Sequence, residues 1–403
     1  MMGETISVRW PIPRFATAAA IFVVSLGLGM ADARTLLQPT GDSKEIATAF
    51  QINAAHSGSV TFQAGFSFPL TKKWIVSFSG FTSYPIIAKG TAFLVVQNSS
   101  DRSLQLVALT LADGTQRWSV PLDGSWAAPT YDHGHIIVMS DTGRVAAFNA
   151  RNGRSTWTDD LGTGYSSPPT AYKGMVFVDG HTSSTEQNTL FALDSTTGNQ
   201  LWTAPGLSDF QDAPTADGDS VYTCDAYRFS AADGAPVWHY DQGCESPGSA
   251  PVYFDDRLYV RDVSVGNVVL DANNGVPIES FGASPAPAFF RSNSGDKLGV
   301  SLTDGQLFCF SVRTGNVVWS FSGDGQLSSA PIVVNGNVIV GSYSGNLYAL
   351  DSQKGKVLWS TNVGAAIETP DEWNQEFPLT GIAAGEGVLV VPAGDTVSAF
   401  APQ

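Results

Sequence analysis

Cysteine is scarce in this chain, with three in 403 residues. That excludes a disulfide-dense scaffold and leaves room for one intrachain bridge. Basic residues are scarce as well: 21 Lys and Arg stand against 37 Asp and Glu, for a net charge of −16. Such a chain offers no electrostatic attraction to a nucleic-acid backbone. Charged residues are only 14% of the total, too few for a coiled coil or a disordered protein. There is no GxSxG, no HExxH and no Walker-type loop. No uncharged apolar run beyond residue 33 approaches the length of a membrane-spanning helix, and no repeat unit carries a helical apolar stripe. What is abundant is apolar material (43%), glycine (41) and tryptophan (10), enough for a sizeable core broken by many turns.

The first segment reads as an address. Arg9 and Arg14 precede the apolar run Phe15–Ala31, and Ala31-Asp32-Ala33 fits a small-x-small cleavage site. Residues 1–33 are therefore expected to be a secretory signal peptide cut after Ala33, the alternative being a retained anchor. No cysteine lies near the cut to take a lipid. The expected location is periplasmic or secreted, with no integral membrane segment after cleavage. Residues 34–56 form a polar lead-in with one short helix expected at 43–50.

The remainder, 57–403, repeats one motif. Its clearest copies are FALDSTTGNQLW (191–202) and YALDSQKGKVLW (348–359). The shared glycines are Gly114, Gly153, Gly198, Gly234, Gly275, Gly315 and Gly355, spaced by 39, 45, 36, 41, 40 and 40 residues. A period near 40 marks a repeat architecture. Each unit opens on a segment such as APT (128–130) or API (330–332) and reads as four short strands separated by Gly, Asn and Asp turns. In the seventh unit these include NVIVGS (337–342), NLYAL (346–350) and KVLWSTN (356–362).

A four-stranded antiparallel sheet has two bare faces and two bare edges. Stacking such sheets around an axis buries the faces, and closing the ring removes the gap. Residues 377–403 supply three strands of a unit, and residues 67–79 supply one Trp-bearing strand with nothing matching before it. The expected fold is an all-β, eight-bladed β-propeller whose last blade is closed by the N-terminal strand. The eight outer-strand markers are Trp74, Trp118, Trp157, Trp202, Trp238, Ile278, Trp319 and Trp359. Seven blades with a stray hairpin is the alternative.

The motif has a mechanical reading. Gly supplies positive φ at the turn. The Asp four residues earlier (Asp194, Asp351) accepts from turn amides. The small residue six before the Gly (Ala192, Ala349) leaves room for a bulky neighbour. Trp four residues after Gly fills the seam between blades, as structure rather than as a sugar-stacking platform. Cys309 replaces the small Ala and is expected to be buried and inert. Cys224 and Cys244 fall in the same short unit and are a candidate disulfide. His133 and His135 flank a turn and read as turn residues rather than a metal pair.

The pattern A-x-D-x-x-x-G-x-x-x-W, complete at Ala192, Asp194, Gly198 and Trp202 and again at Ala349, Asp351, Gly355 and Trp359, resembles that of the pyrroloquinoline-quinone-type propellers. The segment AFQINAAHSGS (49–59) also resembles the stretch before their first blade. The resemblance covers residues 49–403 and implies the fold. For function it implies two classes. One is quinone-dependent alcohol and sugar dehydrogenases. The other is cofactor-free scaffolds, such as the propeller lipoprotein of the outer-membrane β-barrel assembly machinery. The alcohol dehydrogenase branch stacks its quinone on a disulfide between adjacent cysteines beside a Ca²⁺, and this chain has no Cys-Cys pair. Its blades are near minimal, with modest insertions only at 99–104, 180–188 and 364–377.

The expected function is therefore a non-catalytic, extracytoplasmic, protein-binding scaffold of cell-envelope protein assembly, monomeric and without cofactor. The alternative is a periplasmic dehydrogenase using pyrroloquinoline quinone with Ca²⁺. The enzyme reading predicts a deep axial funnel. The scaffold reading predicts a narrow or water-filled axis and a patch of apolar and acidic side chains on one face. The candidate partner-binding residues lie in the longest departure from the repeat, GAAIETPDEWNQEF (364–377): Glu368, Asp371, Glu372, Trp373 and Glu376. The other reading of this loop is a cover packed across the end of the ring.

Overall fold

A computed structural model describes residues 45–403 apart from 183–186, 206–211, 241–248, 262–265, 293 and 373–374. All of these belong to the compact unit Gly41–Gln403; the other unit, Met1–Thr40, and with it the expected signal peptide, lies outside the described residues. No helix among the described residues is long and apolar enough to cross a membrane.

Eight antiparallel sheets of four principal strands follow one another. In chain order, blades 1 to 7 are formed by residues 80–122, 127–160, 163–205, 215–239, 252–280, 288–321 and 332–362. Blade 8 takes its three inner strands from Ala383–Gly385, Val388–Ala393 and Thr396–Pro402. Its outer strand is Leu70–Ser77, which pairs antiparallel with Thr396–Pro402 from Leu70↔Pro402 to Ser77↔Thr396. The fold is thus the expected eight-bladed propeller, closed by the N-terminal strand.

The repeat motif explains how blades adhere. Trp202 stands opposite Ala192 across the outer strand pair, and Trp359 stands opposite Ala349. The small side chain lets the indole turn towards the next blade. There the ring of Trp74, Trp118, Trp157, Trp202, Trp238 and Trp319 lies on the motif glycine of the following blade, where a Cβ would come within 2.5–2.8 Å of indole carbons. The same glycines sit at φ of 65–77°, so both conformation and contact demand Gly. Each of these six indole N–H groups donates to a carbonyl of the following blade at 2.7–3.2 Å. Asp194 accepts from the amides of Thr196 and Thr197, and Asp351 from those of Gln353 and Lys354.

Two blades depart from the rule. Ile278 stands where a Trp is expected, and Gly315 faces Glu279 Oε2 instead, 3.1 Å from a hypothetical Cβ. Blade 8 has no motif turn, because its two outer strands come from distant parts of the chain; Trp359 packs there against Phe400 and Phe68. Cys309, opposite Trp319, is buried and free, and burial pushes its thiol up to about 12.

The lead-in departs from expectation. No helix forms over the described part of 43–50; Ala47 bridges Ile87 and Ala49 bridges Ile52. The inner strands of the blades present bare backbone groups to the axis, and these out-compete intrahelical bonding for the lead-in amides and carbonyls.

Candidate functional site

The innermost strands surround the axis, and each end of the axis is crossed by a segment of the same chain. At the end where inner strands turn outward, the lead-in runs around the ring. Ala47 exchanges backbone bonds with Ile87 of blade 1 at 2.9 and 3.0 Å, and Thr48 O accepts from Tyr131 of blade 2. Ala54, Ala55, Ser57 and Gly58 carbonyls accept from Ala216, Tyr253, Phe289 and Val333 of blades 4 to 7. Glu45 O accepts from Glu386 of blade 8. Gly58 lies so close to blade 6 that a Cβ would come within 2.6 Å of that of Ala288.

His56 completes the set at blade 3. Its Nε2 faces the Thr170 hydroxyl at 3.3 Å, and its Nδ1–H donates to Pro251 O at 3.2 Å, with the Thr215 hydroxyl at 2.9 Å. It is fully buried, with Phe50 edge-on at 6.0 Å between ring centres. Burial, with the positive charge of Arg261 adding to it and the Pro251 bond opposing it, lowers its pKa to about 4, so the ring is neutral. The lead-in therefore touches all eight blades. Nothing in the sequence marks His56, since a lone histidine carries no spacing signal.

At the opposite end the 364–377 loop spans the ring. Ile367 packs on Gly341 of blade 7, and its N–H donates to Ser342 O. The Thr369 hydroxyl donates to Ser328 O at 2.8 Å. Glu372 turns inward and takes a bidentate pair from Arg261 of blade 5 at 2.8 and 2.9 Å, plus the Ala250 N–H at 3.0 Å. The Gln375 amide donates to Ser166 O of blade 3. Gln97 of blade 1 donates to Glu376 O at 3.0 Å, and Leu379 O accepts from Tyr84.

Around the Arg261–Glu372 pair lie Asp179, Asp212 and Asp225, all buried. Burial, then the neighbouring charges of Glu372, Asp179 and Asp225, hold the Asp212 carboxyl well above its usual range, against the pull of Arg261. Burial and Asp225 do the same for Asp179. Neither carboxylate oxygen of Asp212 has a hydrogen-bond partner among the described residues. Both groups are therefore held protonated well above the pH at which an exposed aspartate ionises. Among the described residues no three His, Cys, Asp or Glu are placed to hold a metal ion. With no adjacent cysteines and no such donor set, the described residues do not fit a quinone accompanied by Ca²⁺.

On the loop face a groove of about 570 Å³ opens over blades 7, 8 and 1. Glu368 and Asp371 stand exposed on its wall. Phe81 and Phe377 face each other at 4.5 Å between ring centres, and both are more than a third exposed. Tyr343 borders the groove and bonds Thr369 through its hydroxyl at 2.9 Å. Of the five candidate residues, Glu368 and Asp371 thus line one groove. Glu372 serves the buried pair. Glu376 is exposed beside Arg102, 3.9 Å away. Trp373 lies outside the described residues. Cys224 is disulfide-bonded; its expected partner Cys244 also lies outside them. His133 and His135 bound the first turn of blade 2, as expected.

Geometry and repeat chemistry together define a quinoprotein-type propeller. The family profile described as outer membrane protein assembly factor BamB matches residues 71–168, 141–280 and 279–401. The chain belongs to that family. The outer membrane protein assembly factor BamB of Bordetella pertussis is 27% identical over 275 residues, 65% of this chain and 61% of the relative's length. The matched stretch therefore spans less than two thirds of that relative. Among solved structures, BamB from Moraxella catarrhalis superposes with a TM-score of 0.60 at 18% identity, covering 83% of this chain and 98% of that one. A europium-containing methanol dehydrogenase superposes at 0.67 with 13% identity, covering 89% and 98%. These structural likenesses establish the shared fold.

Proposed function

We propose that this chain is a non-catalytic, protein-binding scaffold of the periplasm, acting as a monomer in the assembly of cell-envelope proteins. The observation that carries the reading is that the chain's own segments cross both ends of the axis, which leaves the rim and its loops as the working surface. The family, whose named members are outer-membrane assembly factors, supports the same reading and the same compartment. A rigid ring with adaptable loops suits docking: the blades hold the loop in place at low entropic cost while Glu368 and Asp371 face solvent. The test is in-cell crosslinking of the full-length chain followed by identification of the captured proteins. Recovery of envelope proteins supports the reading. No specific capture, together with dye reduction by an alcohol or sugar after addition of pyrroloquinoline quinone and Ca²⁺, overturns it in favour of a dehydrogenase.

A further inference from the structure

The groove over blades 7, 8 and 1 has three properties that together specify an occupant. The first is an apolar platform. Phe81 and Phe377 pack against each other yet stay 38% and 43% exposed, and Tyr343 is 48% exposed. Large aromatic surface held rigid at low entropic cost is what binding anchors use. The second is charge. Glu368 and Asp371 line the groove, and among the described residues neither Lys nor Arg lines it. The chain's net charge of −16 adds to the attraction of a cationic partner.

The third property is an unpartnered polar group. Gly80 and Thr82 are buried, and beside them the chain's own Leu379 O accepts from the Tyr84 N–H. Thr82 lines the groove, and its buried hydroxyl, on a residue 3% exposed, has no hydrogen-bond partner among the described residues.

We propose that this groove binds an extended polypeptide segment in which lysine or arginine alternates with aromatic or aliphatic residues. The segment's apolar side chains lie on Phe81, Phe377 and Tyr343, and its cationic side chains reach Glu368 and Asp371. The Thr82 hydroxyl gains a partner from the incoming backbone. This inference rests on the scaffold reading and names the chemistry of one partner surface.

The test is fluorescence anisotropy on the full-length chain. The probes are a labelled octapeptide alternating lysine with phenylalanine or valine and its glutamate counterpart. Saturable binding of the lysine peptide is expected, with binding by the glutamate peptide weaker by about tenfold or more. Phe377→Ser and the double variant Glu368→Gln/Asp371→Asn should each weaken the lysine peptide by roughly tenfold, the typical loss for an anchor. Asp304→Asn, at an exposed turn of blade 6, should leave it unchanged. Thermal unfolding of each variant reports whether the fold is kept. No saturable binding, equal binding of the glutamate peptide, or unchanged binding to both groove variants overturns the groove. If crosslinking in cells still captures envelope proteins through those variants, the scaffold reading survives its loss; if the wild-type chain captures none, the scaffold reading falls.

Discussion

Trp202 lies flat against Gly234 of the next blade: a Cβ on that glycine would come within 2.5 Å of indole Cε3, while the indole N–H donates to Ala231 O at 3.0 Å. The pair is the unit by which one blade grips the next, and it recurs around the ring. Gly234→Ala must both overpack the indole and hold an alanine at φ +71°. A destabilisation of about 2–4 kcal/mol is expected. Gly315→Ala meets only the end of the Glu279 side chain and should cost less, about 1 kcal/mol, from its backbone conformation. Urea unfolding of the two variants checks the order. Equal costs would show that the indole contact contributes nothing.

The axial histidine predicts a pH dependence. The folded pKa of His56 lies at about 4, below its unfolded value of 6.5. The unfolded chain therefore binds a proton that the folded chain refuses between those values. Its contribution is fully present above pH 6.5 and is lost as pH falls towards 4. Asp212 has the opposite sign: its folded pKa is raised, so its contribution is present at acid pH and is lost as pH rises from 3.8 through the raised value. His56→Gln should flatten the acid-side fall in stability, and Asp212→Asn should remove part of the alkaline-side fall. Denaturation midpoints from pH 4 to 8 separate the two.

The buried pair beneath the loop predicts an asymmetry. Arg261→Met leaves the Glu372 carboxylate buried among aspartates without its cation, and should cost about 3–5 kcal/mol. Arg261→Met combined with Glu372→Leu should recover most of that loss, because no uncompensated charge remains. Chemical denaturation of both, with limited proteolysis to follow residues 364–379, reads the difference.

The cysteines predict a labelling pattern. The native chain should resist maleimide, since Cys224 is bonded and Cys309 is buried. Unfolding without reductant should expose Cys309 alone, and reduction should make all three cysteines reactive. Two free thiols on unfolding would leave Cys244 unpaired within the chain and point to an intermolecular bond at Cys224.

The blades were readable because each repeats a local rule: Ala192 opposite Trp202, the turn at Gly198, and an Asp bonding the turn amides are all set within a dozen residues. The closure of blade 8 was readable because Trp74 lacks the strands that every other marker follows. The lead-in was not. Its backbone bonds go to seven different blades, so no period appears in AFQINAAHSGS, and a helix looked as good as anything else over 43–50. The candidate loop was legible as a departure from the repeat, but its division of labour was not. Glu372 meets Arg261 across 111 residues of sequence, and nothing in the acidic run GAAIETPDEWNQEF distinguishes it from Glu368 or Asp371. Thr82 was hidden for the same reason: nothing local in GFT (80–82) shows that it shares a groove with residues 368–371, 377, 378 and 380.

Because Leu70–Ser77 has its partner in Thr396–Pro402, the earliest strand of the propeller is made more than three hundred residues before the strand it joins. During synthesis or export it must stay unmated while seven blades are laid down. The molecule can lock only once the final hairpin has emerged. Any factor that attends this chain on its way to its compartment has that single strand, KKWIVS, to keep from pairing with a neighbour.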